Sequence, residues 1–212
     1  MKRVTDANLS RLAFGALLAG LVILAVAVVW GGWVYPGYDH TRQFMSELGA
    51  AGAVTGSSVS NLGFVPNGVL ITGFSLLAAW ILRHSALAVT ACLLLAANGV
   101  GMAGAGVYPC DFECSRSNLS TAAMLHDAFG GLGYLCAILG VGLAALWARS
   151  SAAPWLAPLG LVVLIVSVVG FYGVVAEVER PGLFQRAMEA ALAVFMLALG
   201  WALMKGLRAS RP

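Results

Sequence analysis

Charge is what this sequence has least of. Of its 212 residues, 10% are Asp, Glu, Lys or Arg, where soluble domains carry about a quarter. That deficit excludes a soluble globular domain. Histidine is scarce as well, with three residues. No His-x-x-x-His or His-Glu-x-x-His spacing occurs among them, so neither a metal site nor a cofactor is expected. No long linker, low-complexity tract or block of like charge divides the chain, and residues 1–212 read as a single domain. The net charge of +3 gives no sign of nucleic-acid binding.

What is present is apolar. Hydrophobic residues make up 60% of the chain, and the mean hydropathy is +0.90. They come in runs of about 20 residues, enough to span a bilayer core as helices. Transmembrane strands would instead alternate apolar and polar. The expected fold is an all-α integral membrane protein, a bundle of six spans at 12–34, 60–82, 86–107, 121–147, 154–176 and 183–204. Pro66 predicts a kink or an unwound turn early in the second span.

Basic residues set the orientation. With the N-terminus cytoplasmic, Lys2, Arg3, Arg11, Arg83, Arg149, Lys205, Arg208 and Arg211 lie inside, and Arg42, Arg116, Arg180 and Arg186 outside. Of the acids only Asp6 falls inside, while Asp39, Glu47, Asp111, Glu113, Asp127, Glu177, Glu179 and Glu189 fall outside. The inner side therefore carries eight minus one, or +7, and the outer side four minus eight, or −4. This predicts an N-in, C-in topology. Trp80, Trp147, Trp155 and Trp201 at inner helix ends and Trp30 and Trp33 at an outer end fit an aromatic belt. The N-terminal Met-Lys-Arg and apolar run read as an uncleaved signal anchor, since no Ala-x-Ala site follows.

Cys92 and Cys136 lie within apolar helices and read as structural thiols. Cys110 and Cys114, in Pro-Cys-Asp-Phe-Glu-Cys-Ser, fall in an outer loop where a disulfide is permitted. Metal binding by the two thiols is the rival, but no second Cys or His pair is near. Small residues recur four apart at Gly15 and Ala19, Gly101 and Ala105, and Gly140 and Ala144, a spacing that lets helices approach closely.

Polar groups inside a membrane are costly, so their positions are informative. Most gather near the outer surface. His126 and Asp127 open the fourth span, Glu177 closes the fifth, and Arg186 and Glu189 enter the sixth. Asn61 and Asn67 lie in the outer half of the second span, and Asn98 is deeper. The densest group is the segment Tyr38–Ala50, Tyr-Asp-His-Thr-Arg-Gln-Phe-Met-Ser-Glu-Leu-Gly-Ala. Wound as a helix, it places Thr41, Phe44, Met45 and Leu48 on one face and Asp39, Arg42, Gln43 and Ser46 on the other. It is expected to form a short amphipathic helix in the first outer loop. Its polar face looks either to water or inward at His126 and Asp127.

As catalytic candidates, His126 with Asp127 would be an acid/base pair and Ser46, beside Glu47, a nucleophile. The competing reading of His126 is a structural hydrogen bond to a neighbouring helix, because adjacent residues on a helix point about 100° apart. Arg42, Gln43, Arg186, Glu189 and Glu177 would recognise a head group, arginine offering paired donors to phosphate. Arg186 and Glu189, three apart, would otherwise pair with each other.

The segment Tyr35–Ala50, with Ser-Glu-Leu-Gly at its end, resembles the first-loop motif of the bacterial and archaeal family of unknown function numbered 998. Tyr108-Pro-Cys-Asp and Leu125-His126 are similar to that family too. Gln43, Ser46, Glu47, Gly49 and His126 are the matching positions. The layout is more distantly similar to eukaryotic DRAM and FRAG-type membrane proteins, some of which are implicated in membrane-lipid organisation. The resemblance implies six helices in a bacterial or archaeal cytoplasmic membrane, and it supplies no activity.

Three functions remain open. The favoured one is an accessory protein that binds membrane lipids or their head groups at the outer face. The second is a membrane-embedded hydrolase or transferase acting on a lipid-linked substrate. The third is a small-solute transporter, disfavoured because no ionisable residue lies in the middle or inner halves of the spans.

Overall fold

A computed structural model describes residues 2–207, with side chains from residue 7 onward. The inner charges Arg208 and Arg211, and the side chains of Lys2, Arg3 and Asp6, lie outside the described residues. The chain folds into six long helices: α1 (Lys2–Val34), α2 (Gly56–Ile81), α3 (Ala86–Val107), α4 (Thr121–Ala148), α5 (Leu156–Val175) and α6 (Pro181–Met204). All six are long and apolar enough to cross a membrane, which makes this a multi-pass membrane protein. Among the described residues there is no strand. The expected spans match these helices, with α1 starting ten residues early and α2 four.

Pro66 acts through the turn before it. Residues Ser60–Phe64 form a wider π turn, in which the Val65 N–H reaches back to the Ser60 carbonyl. Proline cannot donate to the fourth preceding carbonyl, and its ring crowds that carbonyl. A π turn just ahead of it relieves both conflicts.

The core is a layer of large side chains between α1, α2 and α6 and the flanking helices: Leu17, Phe74, Leu95, Phe195, Leu199 and Leu203. Helices α3 and α4 touch backbone to backbone. A side chain at Gly101 would collide with the Phe129 carbonyl and Gly133, so the expected small-residue packing is realised there. Gly140 likewise sits against the Ala91 carbonyl. Gly15 faces open space and packs nothing. Of the belt tryptophans, Trp30, Trp33, Trp80, Trp155 and Trp201 are exposed. Trp147 is the exception: it is buried in the core.

The connections after α1, α3 and α5 meet at one end of the bundle. Ala51 N–H donates to the Cys110 carbonyl at 2.8 Å, and Leu183 N–H to the Thr41 carbonyl at 2.9 Å. The loop after α1 thus lies as a cap across the bundle and is fastened to the loop after α3 and to the first turn of α6.

Candidate functional site

The cap is shaped by its own side chains. Asp39 accepts from the Thr41 N–H and hydroxyl, both at 2.8 Å, and these bonds hold its carboxyl below the usual range. Glu47 accepts from the Phe44 N–H at 2.8 Å and from Gln43 Nε2 at 2.8 Å. Gln43 Oε1 in turn accepts from the Asp39 N–H. Such bonds compete with a helical ladder. The expected continuous helix over 39–49 is therefore replaced by turns and a five-residue 3-10 helix, Met45–Gly49. The predicted division of faces is corrected with it. Arg42 and Asp39 pair at 3.8 Å in water, whereas Glu47 is buried beside Met45 and Leu48. That burial raises the Glu47 carboxyl above its ordinary value, against the opposing hydrogen bonds from Gln43 and Phe44.

Helix α6 holds the cap down. Arg186 donates through Nη1 to the Gln43 carbonyl at 2.9 Å and the Gly182 carbonyl at 3.1 Å, and through Nη2 to the Tyr38 hydroxyl at 2.6 Å. The Tyr38 hydroxyl donates onward to the Phe44 carbonyl at 2.7 Å. Burial pushes the Tyr38 phenol up to about 12, with Arg186 opposing. Burial and the Arg186 charge lower His40. Gly182 lies under the Gln43 carbonyl, where any side chain would collide. One residue-turn further in, Gln185 Oε1 accepts from the Met45 N–H at 2.7 Å.

The loop after α3 supports the other edge of the cap. Cys110 and Cys114 form a disulfide, with Cα atoms 5.0 Å apart. Ser46 Oγ lies 3.3 Å from Cys114 Sγ, placed to donate to the sulfur.

Beneath the cap lies a cavity of about 500 Å³, here called the flank cavity. It is lined by Ser46 of the cap, by His126, Gly130 and Tyr134 of α4, by Gln185 of α6, and by Phe171, Val174 and Val175 of α5. Gly130 and Gly131 leave open space where side chains would otherwise stand. Gly130 is nine residues into α4, about 13 Å along the helix, so the cavity descends into the apolar length of the bundle. Arg116 crosses the rim, paired with Asp127 at 3.3 Å and with Glu177. His126 Nδ1 is 2.9 Å from the Ala105 carbonyl and 3.0 Å from the Tyr108 carbonyl. Two carbonyl acceptors at Nδ1 place a proton on that nitrogen.

A family model described as "Protein of unknown function (DUF998)" matches residues 18–202. The chain belongs to the DUF998 family. No curated protein and no solved structure matches it, so the distant DRAM-type likeness gains no support.

Within this DUF998 chain the candidate residues are distributed over distinct tasks. Ser46 and His126 share the flank cavity. His126 and Asp127 do not form a dyad: the first turns to the end of α3 and the second to Arg116. Gln43, Glu47 and Arg186 build the latch of the cap. Arg42 is in water, and Glu177 is on the rim. The Arg186–Glu189 pair does not form, because Arg186 is engaged by the cap and Glu189 accepts from the Tyr134 hydroxyl at 2.7 Å. Asn98 donates to the Gly133 carbonyl at 3.3 Å, joining α3 to α4. Among the described residues no cluster of three metal-ligating side chains occurs. Sequence reasoning passed over Arg116, Tyr134, Gln185 and Gly130. Tyr134 and Gln185 carried a signal, as polar groups within apolar helices.

Proposed function

We propose that this protein binds a membrane lipid in the flank cavity, in an accessory role, at the extracytoplasmic face of a bacterial or archaeal cytoplasmic membrane. The orientation rests on the distribution of basic residues. One observation carries the binding: a cavity of about 500 Å³, within the size range of small-molecule sites, joins polar groups at its cap end, Ser46, His126 and Gln185, to an apolar wall of α5. An acyl chain suits the Phe171–Val175 wall, and a polar head suits the cap end and the Arg116 rim.

The test is photo-crosslinking in nanodiscs with a phospholipid carrying a diazirine on its acyl chain. Adducts concentrated on Gly130–Tyr134 and Phe171–Val175 are expected. Labelling spread evenly over the exposed faces of α1 and α5 would defeat the reading.

The enzymatic alternative is favoured by one observation, that His126 and Ser46 line the same cavity. It requires that Ser46→Ala abolish turnover of a lipid that still binds. Unchanged lipid composition in cells carrying that variant would remove it.

A further inference from the structure

A second cavity, of about 430 Å³, is lined by residues of α1, α2, α3 and α6. Ala25, Ala190 and Ala193 are among its lining residues, and of these Ala25 and Ala190 are exposed. Leu21, Val28, Ile71 and Met196 give it an apolar lining. Against that lining stand two donors without an acceptor. Asn67 is 2% exposed, and its Nδ2 has no partner. Arg186 gives both terminal nitrogens to the cap, and its Nε is buried with no partner. Both residues line the chamber.

A buried donor left unsatisfied costs about 1–3 kcal/mol, and two on one apolar wall call for an acceptor from outside the chain. Glu189 also lines this chamber, and its Oε1 already accepts from the Tyr134 hydroxyl. The fitting ligand need not be charged. It needs an acceptor oxygen on a hydrocarbon body.

We infer that this chamber is a second ligand site, which takes the carbonyl oxygen of a lipid acyl group on the Asn67 amide and Arg186 Nε, with the chain lying between α1 and α6. The carbonyl can belong to a carboxylic acid or to an ester, and the two sources are separable. The site is distinct from the flank cavity, to which Asn67 and Ala193 do not contribute.

The experiment is native mass spectrometry of the delipidated full chain, titrated separately with palmitic acid and with monopalmitoylglycerol. Binding of either is expected, and the tighter one identifies the source. Ala193→Phe, which fills the chamber, and Asn67→Leu, which removes a donor, should each weaken that binding about tenfold or more. Gly130→Phe, which fills the flank cavity, should leave it unchanged. Ala193→Leu serves as a milder filling variant if the Phe form is not monodisperse. Neither probe bound by the parent chain, or binding indifferent to Ala193→Leu and Asn67→Leu, overturns the inference. Binding lost in Gly130→Phe and kept in Ala193→Leu also overturns it, and assigns the ligand to the flank cavity instead.

Discussion

Arg186 and Tyr38, 148 positions apart in sequence, meet with Nη2 2.6 Å from the phenol oxygen. The guanidinium also sits 5.6 Å from the Tyr38 ring centre. Through this contact the first connection of the chain is latched to its last helix.

Tyr38→Phe keeps the ring and removes the hydroxyl that joins Arg186 to the Phe44 carbonyl. A loss of about 1–3 kcal/mol is expected, the range for a buried polar group deprived of its partner. Hydrogen exchange over residues 38–50 should accelerate while the core of α2 and α3 does not change. Uniform exchange in parent and variant would show that the latch holds nothing.

Glu47 makes the cap sensitive to pH. Its folded carboxyl is raised by burial, so the native state binds more protons than the unfolded chain just above the ordinary carboxylate range. Stability is then full below the unfolded value and is lost as pH rises through the folded one. Thermal unfolding of the parent should show this decline relative to Glu47→Gln, which has no such proton to lose. A parent that instead gains stability over that window would contradict the assignment.

Arg116 is more than half exposed where it joins Asp127 and Glu177. Exposed pairs of this kind contribute about 0–1 kcal/mol. Arg116→Gln should leave the melting temperature almost unchanged, yet speed exchange of a labelled phospholipid by opening the rim. High salt should act on the parent in the same direction. A large drop in melting temperature with unaltered lipid exchange would make Arg116 a structural residue only.

The Cys110–Cys114 disulfide closes a very short loop, for which chain entropy gives about 2 kcal/mol. Reduction should lower thermal stability by no more than that and release Ser46 from Cys114 Sγ. Proteolysis in the first connection should rise in step. Equal protease resistance before and after reduction would separate the disulfide from the cap.

The six spans were legible because hydrocarbon thickness fixes the length of apolar runs, and Pro66 announced its distorted turn through its missing donor. The disulfide was legible from the place of Cys110 and Cys114 in an outer loop, with metal binding as its rival, and the bond is formed. The cap was legible as a polar crowd but not as a shape. The helical wheel assumed a ladder that the Glu47 and Asp39 side chains displace, and a wheel does not register bonds from side chain to backbone. His126 was correctly given a structural alternative, a hydrogen bond to a neighbouring helix. The two cavities left little trace in sequence. Each depends on where helices fail to touch, and Gly130 or Ala193 alone looks like any other small residue on an apolar helix.

Native mass spectrometry of the parent chain and of Gly130→Phe, each released from its own membrane, tests lipid binding in the flank cavity most directly. A Cβ added at Gly130 meets open space, and removing a helical glycine does not harm the helix. The account predicts a retained lipid on the parent and its loss from the variant at unchanged melting temperature. The same lipid retained at the same stoichiometry in both would contradict it.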